Sequence, residues 1–89
     1  MRNDNLKLEY PAGTRILLLN MDDSFAVPSG MRGTVHHVDD GGNIHMRWDN
    51  GRTLAIVPEV DTFRKLTEQE IQEEMQERIQ PEEISMNTM

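Results

Sequence analysis

The chain has 89 residues, a net charge of −7 and no cysteine, which bounds it to one small domain with a modest core and excludes disulfides, thiolate metal sites and thiol nucleophiles. Residues 1–66 set nine acids against eight bases, whereas residues 67–89 set seven against one. A near-neutral body with an acidic end lacks the basic footprint of a nonspecific nucleic-acid binder; it suits a basic partner, or serves solubility alone.

Residues 1–9 are polar and are expected to be flexible. Their start, Met-Arg-Asn-Asp-Asn-Leu-Lys, lacks the apolar core of a signal peptide, and apolar runs such as 16–19 are far too short for a bilayer, so a cytoplasmic protein is expected. Tyr10-Pro11-Ala12-Gly13 is a turn signal leading into a first strand over 14–21. There Leu17 and Leu19 alternate with Ile16 and Leu18, so both faces are apolar and both ask for cover. Residues 22–30 form a long connection with a single aromatic, Phe25.

The second strand covers 31–38 and the third 44–48. Ile44, Met46 and Trp48 share one face by period two, opposite His45 and Arg47. Gly33 and Val35 agree in parity but Val38 does not, and a β-bulge at His36-His37 repairs the pattern by letting Val35 face Met46 and Val38 face Ile44. Parity also decides the next turn. A two-residue Asn50-Gly51 turn would put Arg47 on the core face, so a three-residue loop with Gly51 in the left-handed region is expected, pairing Met46 with Leu54 and Ile44 with Ile56. Pro58 ends a fourth strand, Val60-Asp61-Thr62-Phe63 reads as one helical turn, and a short strand closes through residue 66. The expected centre of the core is Met46, Trp48, Leu54 and Ile56.

Thr67-Glu68-Gln69-Glu70 has the spacing of a capping box. The helix it opens is placed over 67–80, ended by Pro81, with Ile71, Met75 and Ile79 as its one apolar stripe. Residues 81–89 are expected to be disordered. Short β-branched runs broken by glycine-bearing turns give an all-β body over 10–66, a small five-stranded barrel followed by an amphipathic acidic α-helix.

The stretch 10–66 resembles the domain-of-unknown-function family numbered 4314, seen in phages, conjugative elements and some bacterial genomes. The residues that carry the likeness are Tyr10-Pro11-Ala12-Gly13-Thr14-Arg15, Met21-Asp22-Asp23, Pro28, Gly30-Met31-Arg32-Gly33-Thr34-Val35, Val38-Asp39-Asp40, Gly42 and Ile44-His45. They continue through Trp48-Asp49-Asn50-Gly51, Leu54, Pro58 and Val60-Asp61-Thr62-Phe63. The resemblance implies an SH3-like barrel and a mobile-element setting, and no activity. In SH3-type barrels the longest ligand-contacting loop falls where 22–30 lies. The Gly-Thr-Val, Asp-Gly and Trp-Asp-Asn-Gly elements are also similar to the peptide-binding SH3-like repeats of certain ubiquitin ligases.

Candidate chemistry is sparse. Asp22, Asp23, Asp39, Asp40, Asp49 and Asp61 lie in or beside loops, where aspartate favours turns by bonding nearby amides, and their spacing matches neither a calcium loop nor a glycosidase pair. The bulged register brings His36, His37 and His45 together as a zinc, nickel or pH-sensing cluster, against which stands the plainer reading of solvated strand positions. Trp48 reads as core, and Phe25 and Tyr10 as the exposed apolar contacts. Arg15, Arg32, Arg47 and Arg52 form a basic strip, read as solvated ion pairs. With no nucleophile triad, phosphate loop or metalloprotease motif, neither an enzyme nor a cofactor is expected.

The reading is a non-enzymatic protein-interaction module of a phage or mobile element. Its partner surface is placed on Glu70, Glu73, Glu74 and Glu77 of the acidic helix and on Phe25, Asp22 and Asp23 of the loop. That helix is expected to dock on Leu17 and Leu19, or to pair in a homodimer through Ile71, Met75 and Ile79, with its glutamates outward. Two alternatives remain: an acidic, nucleic-acid-mimicking inhibitor of a host defence protein, and a weak DNA- or RNA-binding barrel.

Overall fold

The computed structural model describes residues 4–87, with side chains described through residue 77. In chain order the elements are α1 (Asp4–Glu9), β1 (Arg15–Asn20), β2 (Arg32–Val38), β3 (Ile44–Trp48), β4 (Thr62–Lys65) and α2 (Glu68–Asn87). The strands form one antiparallel sheet in the order β3-β2-β1-β4. Alternation sorts β1 as strand geometry requires: Ile16 and Leu18 are fully buried, Leu17 is half-buried and Leu19 is exposed.

The bulge in β2 is present. Val35 pairs with Met46, Val38 pairs with Ile44, and the register slips between Val35 and His37. The one extra residue turns Val38 back to the buried face, so both valines join the core with Ile44, Met46, Ile56 and Val27. Leu54 packs against that core from its rim.

Trp48 is buried, and its indole lies on the bare backbone of Gly33, its cross-strand neighbour. A Cβ at Gly33 would stand 2.7 Å from Trp48 Cε3, closer than carbon atoms pack, so glycine is needed there for space. The turn after Trp48 is the three-residue loop: Trp48 N–H donates to Arg52 C=O and Gly51 N–H to Trp48 C=O, both at 2.8 Å. Gly51 sits at φ +91°, where a Cβ is disfavoured.

The expected fourth strand shrinks to one bridge, at which Ile44 and Ile56 exchange N–H···O bonds of 2.9 and 2.8 Å. The Trp48 Nε1–H donates to the Leu54 carbonyl at 2.8 Å, tying the segment after the Gly51 turn to β3. The sheet is therefore four-stranded and open, in place of a closed five-stranded barrel. The helical turn expected at Val60-Asp61-Thr62-Phe63 is also corrected. Val57 C=O accepts from the Val60 and Asp61 amides at 3.0 and 2.9 Å, after which Thr62 and Phe63 enter β4. Buried Asp61 holds that turn, accepting from Val57 N–H at 2.8 Å and from Asp22 N–H at 2.9 Å.

Helices flank the sheet on both sides in the chain. Where a flexible segment was expected, α1 covers Asp4–Glu9; its Leu6 packs on the core and Lys7 bonds Asp40 at 2.7 Å. The capping box of α2 is closed in both directions, Glu70 N–H to Thr67 Oγ1 at 3.1 Å and Thr67 N–H to the Glu70 carboxylate at 2.8 Å. The helix runs through Pro81 to Asn87, beyond its expected end at Gln80. Proline removes one backbone donor, and the good helix formers Glu82, Glu83 and Met86 follow it. Among the described residues no helix is long and apolar enough to cross a membrane.

Trp48→Ala is expected to cost about 3–5 kcal/mol, most of the stability of a domain this small. Gly33→Ala should cost about 1–3 kcal/mol by driving a methyl into the indole. Urea denaturation checks both; a parent-like midpoint for either variant would contradict the packing of this pair.

Candidate functional site

The 22–30 loop is long but held at many points. Asp23 Oδ1 accepts from Phe25 N–H at 2.7 Å, and the Asp23 carbonyl accepts from Ala26 N–H at 3.1 Å. Val27 is buried beneath the loop, and Gly30 N–H returns to the Leu18 carbonyl at 2.8 Å. From the far side Arg52 clamps the same backbone, its guanidinium donating to the carbonyls of Phe25 and Ala26. This fixed backbone presents Phe25 with 76% of its surface in solvent, flanked by exposed Asp22 and Asp23. Tyr10 does not join it. Its ring is half-buried, 5.6 Å from the Phe63 ring, with Lys65 Nζ 5.1 Å from its centroid.

A second surface is the outer face of the sheet. Leu17 lies between Arg32 of β2 and Arg64 of β4, and Thr34 lies between Arg15 of β1 and Arg47 of β3. Side-by-side residues share a face, so four arginines project from the side opposite the core. Across this face lies α2. Arg15 grips Glu74 with two bonds, Nε to Oε1 at 3.1 Å and Nη2 to Oε2 at 2.6 Å, and Arg32 adds a third at 3.0 Å. Arg64 holds Glu70 through a fork of two 2.9 Å bonds. Arg15 also reaches Thr34 Oγ1 at 3.1 Å and both Asp49 oxygens at 2.9 and 2.8 Å, so one guanidinium joins β1, β2, the Gly51 turn and α2.

These contacts correct the expected outward ridge. Glu70 and Glu74 point onto the sheet, while Glu73 and Glu77 remain exposed, Glu73 accepting a long 3.4 Å bond from Gln69. The docking is ionic where an apolar seam on Leu17 and Leu19 was expected: Met75 is 58% and Leu19 43% exposed, and Ile71 is half-buried. The Ile79 side chain lies outside the described residues. The protonation equilibria follow the geometry. The Arg64 fork, then the Thr67 amide, holds the Glu70 carboxyl down at about 2; Arg15, then Arg32, lowers that of Glu74. Asp49, then Glu74, raises Arg15.

The bulge assembles the three histidines. His37 and His45 stack with centroids 4.3 Å apart and planes within 5°, and His36 Nδ1 lies 2.6 Å from His37 Nδ1. His45 Nε2 contacts Asp39 Oδ2 at 2.8 Å, and the Asp39 carboxyl is lowered to about 2 by the Asn43 amide first and His45 second. Among the described residues no group of three or more His, Asp or Glu is placed to hold a metal ion. The histidines instead line an open groove of about 610 Å³ with Arg47, Gly51, Arg52 and Thr53. Arg47 makes no ion pair among the described residues, so of the basic strip Arg15 and Arg32 are paired, Arg52 is a loop clamp, and Arg47 alone faces solvent. Residue-type reasoning missed the roles of Arg64 and Arg52, although the outward parity of Arg64 was available in Thr62-Phe63-Arg64-Lys65.

Acid should release α2 from the sheet. The Glu70 carboxyl titrates lower in the folded chain than its ordinary 4.5, so its contribution is complete above that value and is lost as pH falls towards about 2. Glu74 shifts in the same direction and adds to the same window. Amide NMR across pH 5 to 2 should show α2 signals moving before the Trp48 indole signal; Glu70→Gln should shrink the early step, and Glu70→Gln with Glu74→Gln should remove it.

No curated protein and no solved structure matches this chain. A family model described as Domain of unknown function (DUF4314) matches residues 2–66, which takes in α1 and the whole sheet and stops before α2. By that match over most of its length, the chain belongs to this family of domains of unknown function.

Proposed function

We propose that this protein is a non-enzymatic protein-interaction module of a phage or mobile genetic element, acting in the bacterial cytoplasm and engaging a protein partner through the 22–30 loop. The observation that carries this reading is Phe25, an aromatic ring left 76% exposed on a backbone held by Asp23, Arg52 and buried Val27. A ring fixed in advance contributes contact area on binding while little further order is lost, and such aromatics anchor protein interfaces. Asp22 and Asp23 supply a charged rim.

The mobile-element setting comes from the likeness of residues 10–66 to phage and conjugative-element sequences. The finer fold reading is an SH3-like strand arrangement left open, its last hairpin reduced to the Ile44–Ile56 bridge; the bulge, the Gly51 loop and that bridge support it. On the acidic helix, only Glu73 and Glu77 of the four glutamates first assigned to a partner face solvent, which favours the loop as the principal contact and weighs against a nucleic-acid mimic.

Phe25→Ala should weaken partner capture about 30-fold or more, the range of an interface anchor, while leaving the denaturation midpoint within error because the ring buries little. The measurement is a pull-down from bacterial lysate, then titration of the captured protein against parent and variant. Capture that is indifferent to Phe25→Ala but lost with Glu73→Lys and Glu77→Lys would move the site to α2.

A further inference from the structure

Four arginines on one face of a small sheet repel one another unless something negative covers them. In this chain the cover is α2, and it is partial. Glu70 neutralises Arg64 and Glu74 bridges Arg15 and Arg32, while Arg47 and the neighbouring histidines stay open at the β3 side of the same face. The two glutamates stand four residues apart, one helical turn, and each meets an arginine fork on a different strand. The basic face belongs to the part that matches the family, residues 2–66, and the acidic cover lies entirely beyond it.

The cover is also held by contacts of a kind that exchange readily. Met75 is mostly exposed, Ile71 is only half-buried, and the described anchorage of α2 on the sheet is charge-assisted hydrogen bonding, part-buried at Arg15–Glu74 and exposed at Arg64–Glu70. Exposed ion pairs are weak singly and screened by salt. A helix seated this way can leave without disturbing the core, which lies on the other side of the sheet.

We propose that the outer sheet face, Arg15, Arg32, Arg47 and Arg64, is a binding surface for an acidic helical segment of a partner protein, and that α2 occupies it in cis as a displaceable strap. The occupant's chemistry is read from the ligand already there: carboxylates at i and i+4 on one side of a helix, with room for a further acidic group at Arg47. This surface is separate from Phe25, and the proposal stands or falls independently of the loop.

The test uses the full chain and a labelled peptide with the sequence of residues 67–87 as the probe. At low salt the Glu70→Gln, Glu74→Gln chain should bind this peptide about ten-fold or more tighter than the parent does. Binding should weaken as salt rises and return to the parent level when Arg32→Gln and Arg64→Gln are added. Equal binding by parent and strap variant, or binding that ignores the arginines, would overturn the proposal. Tighter binding of a single-stranded oligonucleotide than of the peptide would reassign the face to phosphates and overturn it too, as would a dimer made by exchanging α2, which makes a second copy the occupant. A measurement on the parent guards against a variant that does not fold. Excess unlabelled peptide should shift the amide resonances of Glu70 and Glu74 in the isotope-labelled chain, and leave Val35 and Met46 in place. Unmoved glutamate amides at saturating peptide would overturn the strap.

Discussion

One additional residue in β2 sets the phase of the whole sheet. Up to Val35 the strand alternates in register with β3; beyond it, without the insertion at His36, Val38 would face water and a histidine would face the core. The bulge restores Val38 opposite Ile44 and keeps Val35 opposite Met46. Every inward residue of β3 then has an apolar or bare-backbone partner, ending with the Trp48 indole on Gly33. A one-residue slip in a strand exchanges its two faces entirely, so the core and the surface cluster of histidines are two results of a single local irregularity.

The same alternation that fills the core loads the opposite face with charge. Inward Ile16 and Leu18 imply outward Arg15, and inward Gly33 and Trp48 imply outward Arg32 and Arg47. A sheet covered by its core on one side has to manage what stands on the other. This chain does so with a helix that brings glutamates to the arginines, and Arg15 gathers strand, turn and helix into one network. The Arg52 clamp plays the corresponding part for the 22–30 loop, fixing a backbone that would otherwise carry Phe25 loosely.

What was legible in the sequence was whatever rests on period and turn chemistry. Parity gave the bulge, the left-handed Gly51, the Ile44–Ile56 pairing and the burial of Trp48, and the Thr67/Glu70 spacing gave the capping box. What was not legible depends on contacts distant in sequence or on one side-chain bond. No pattern reveals that the Trp48 indole will bond the Leu54 carbonyl, or that the fourth strand will shrink to one bridge. The pairing of Glu74 with Arg15 spans 59 residues, and without it a lone amphipathic helix reads as docking by its apolar stripe. Exposure of Phe25 was inferred from its loop, whereas Tyr10, in a turn of similar composition, is drawn inward by Phe63 and Lys65.

An open sheet has ends, and β4 is one of them. It is only four residues long and carries Arg64 and Lys65 in its last two positions, which are features that discourage a neighbouring chain from adding its own strand. Arg64 is at the same time the residue that ties down the start of α2. Protection against fibril-like stacking and retention of the acidic helix are thus vested in one side chain, and a neutral residue at position 64 would expose the molecule to self-association while loosening its cover.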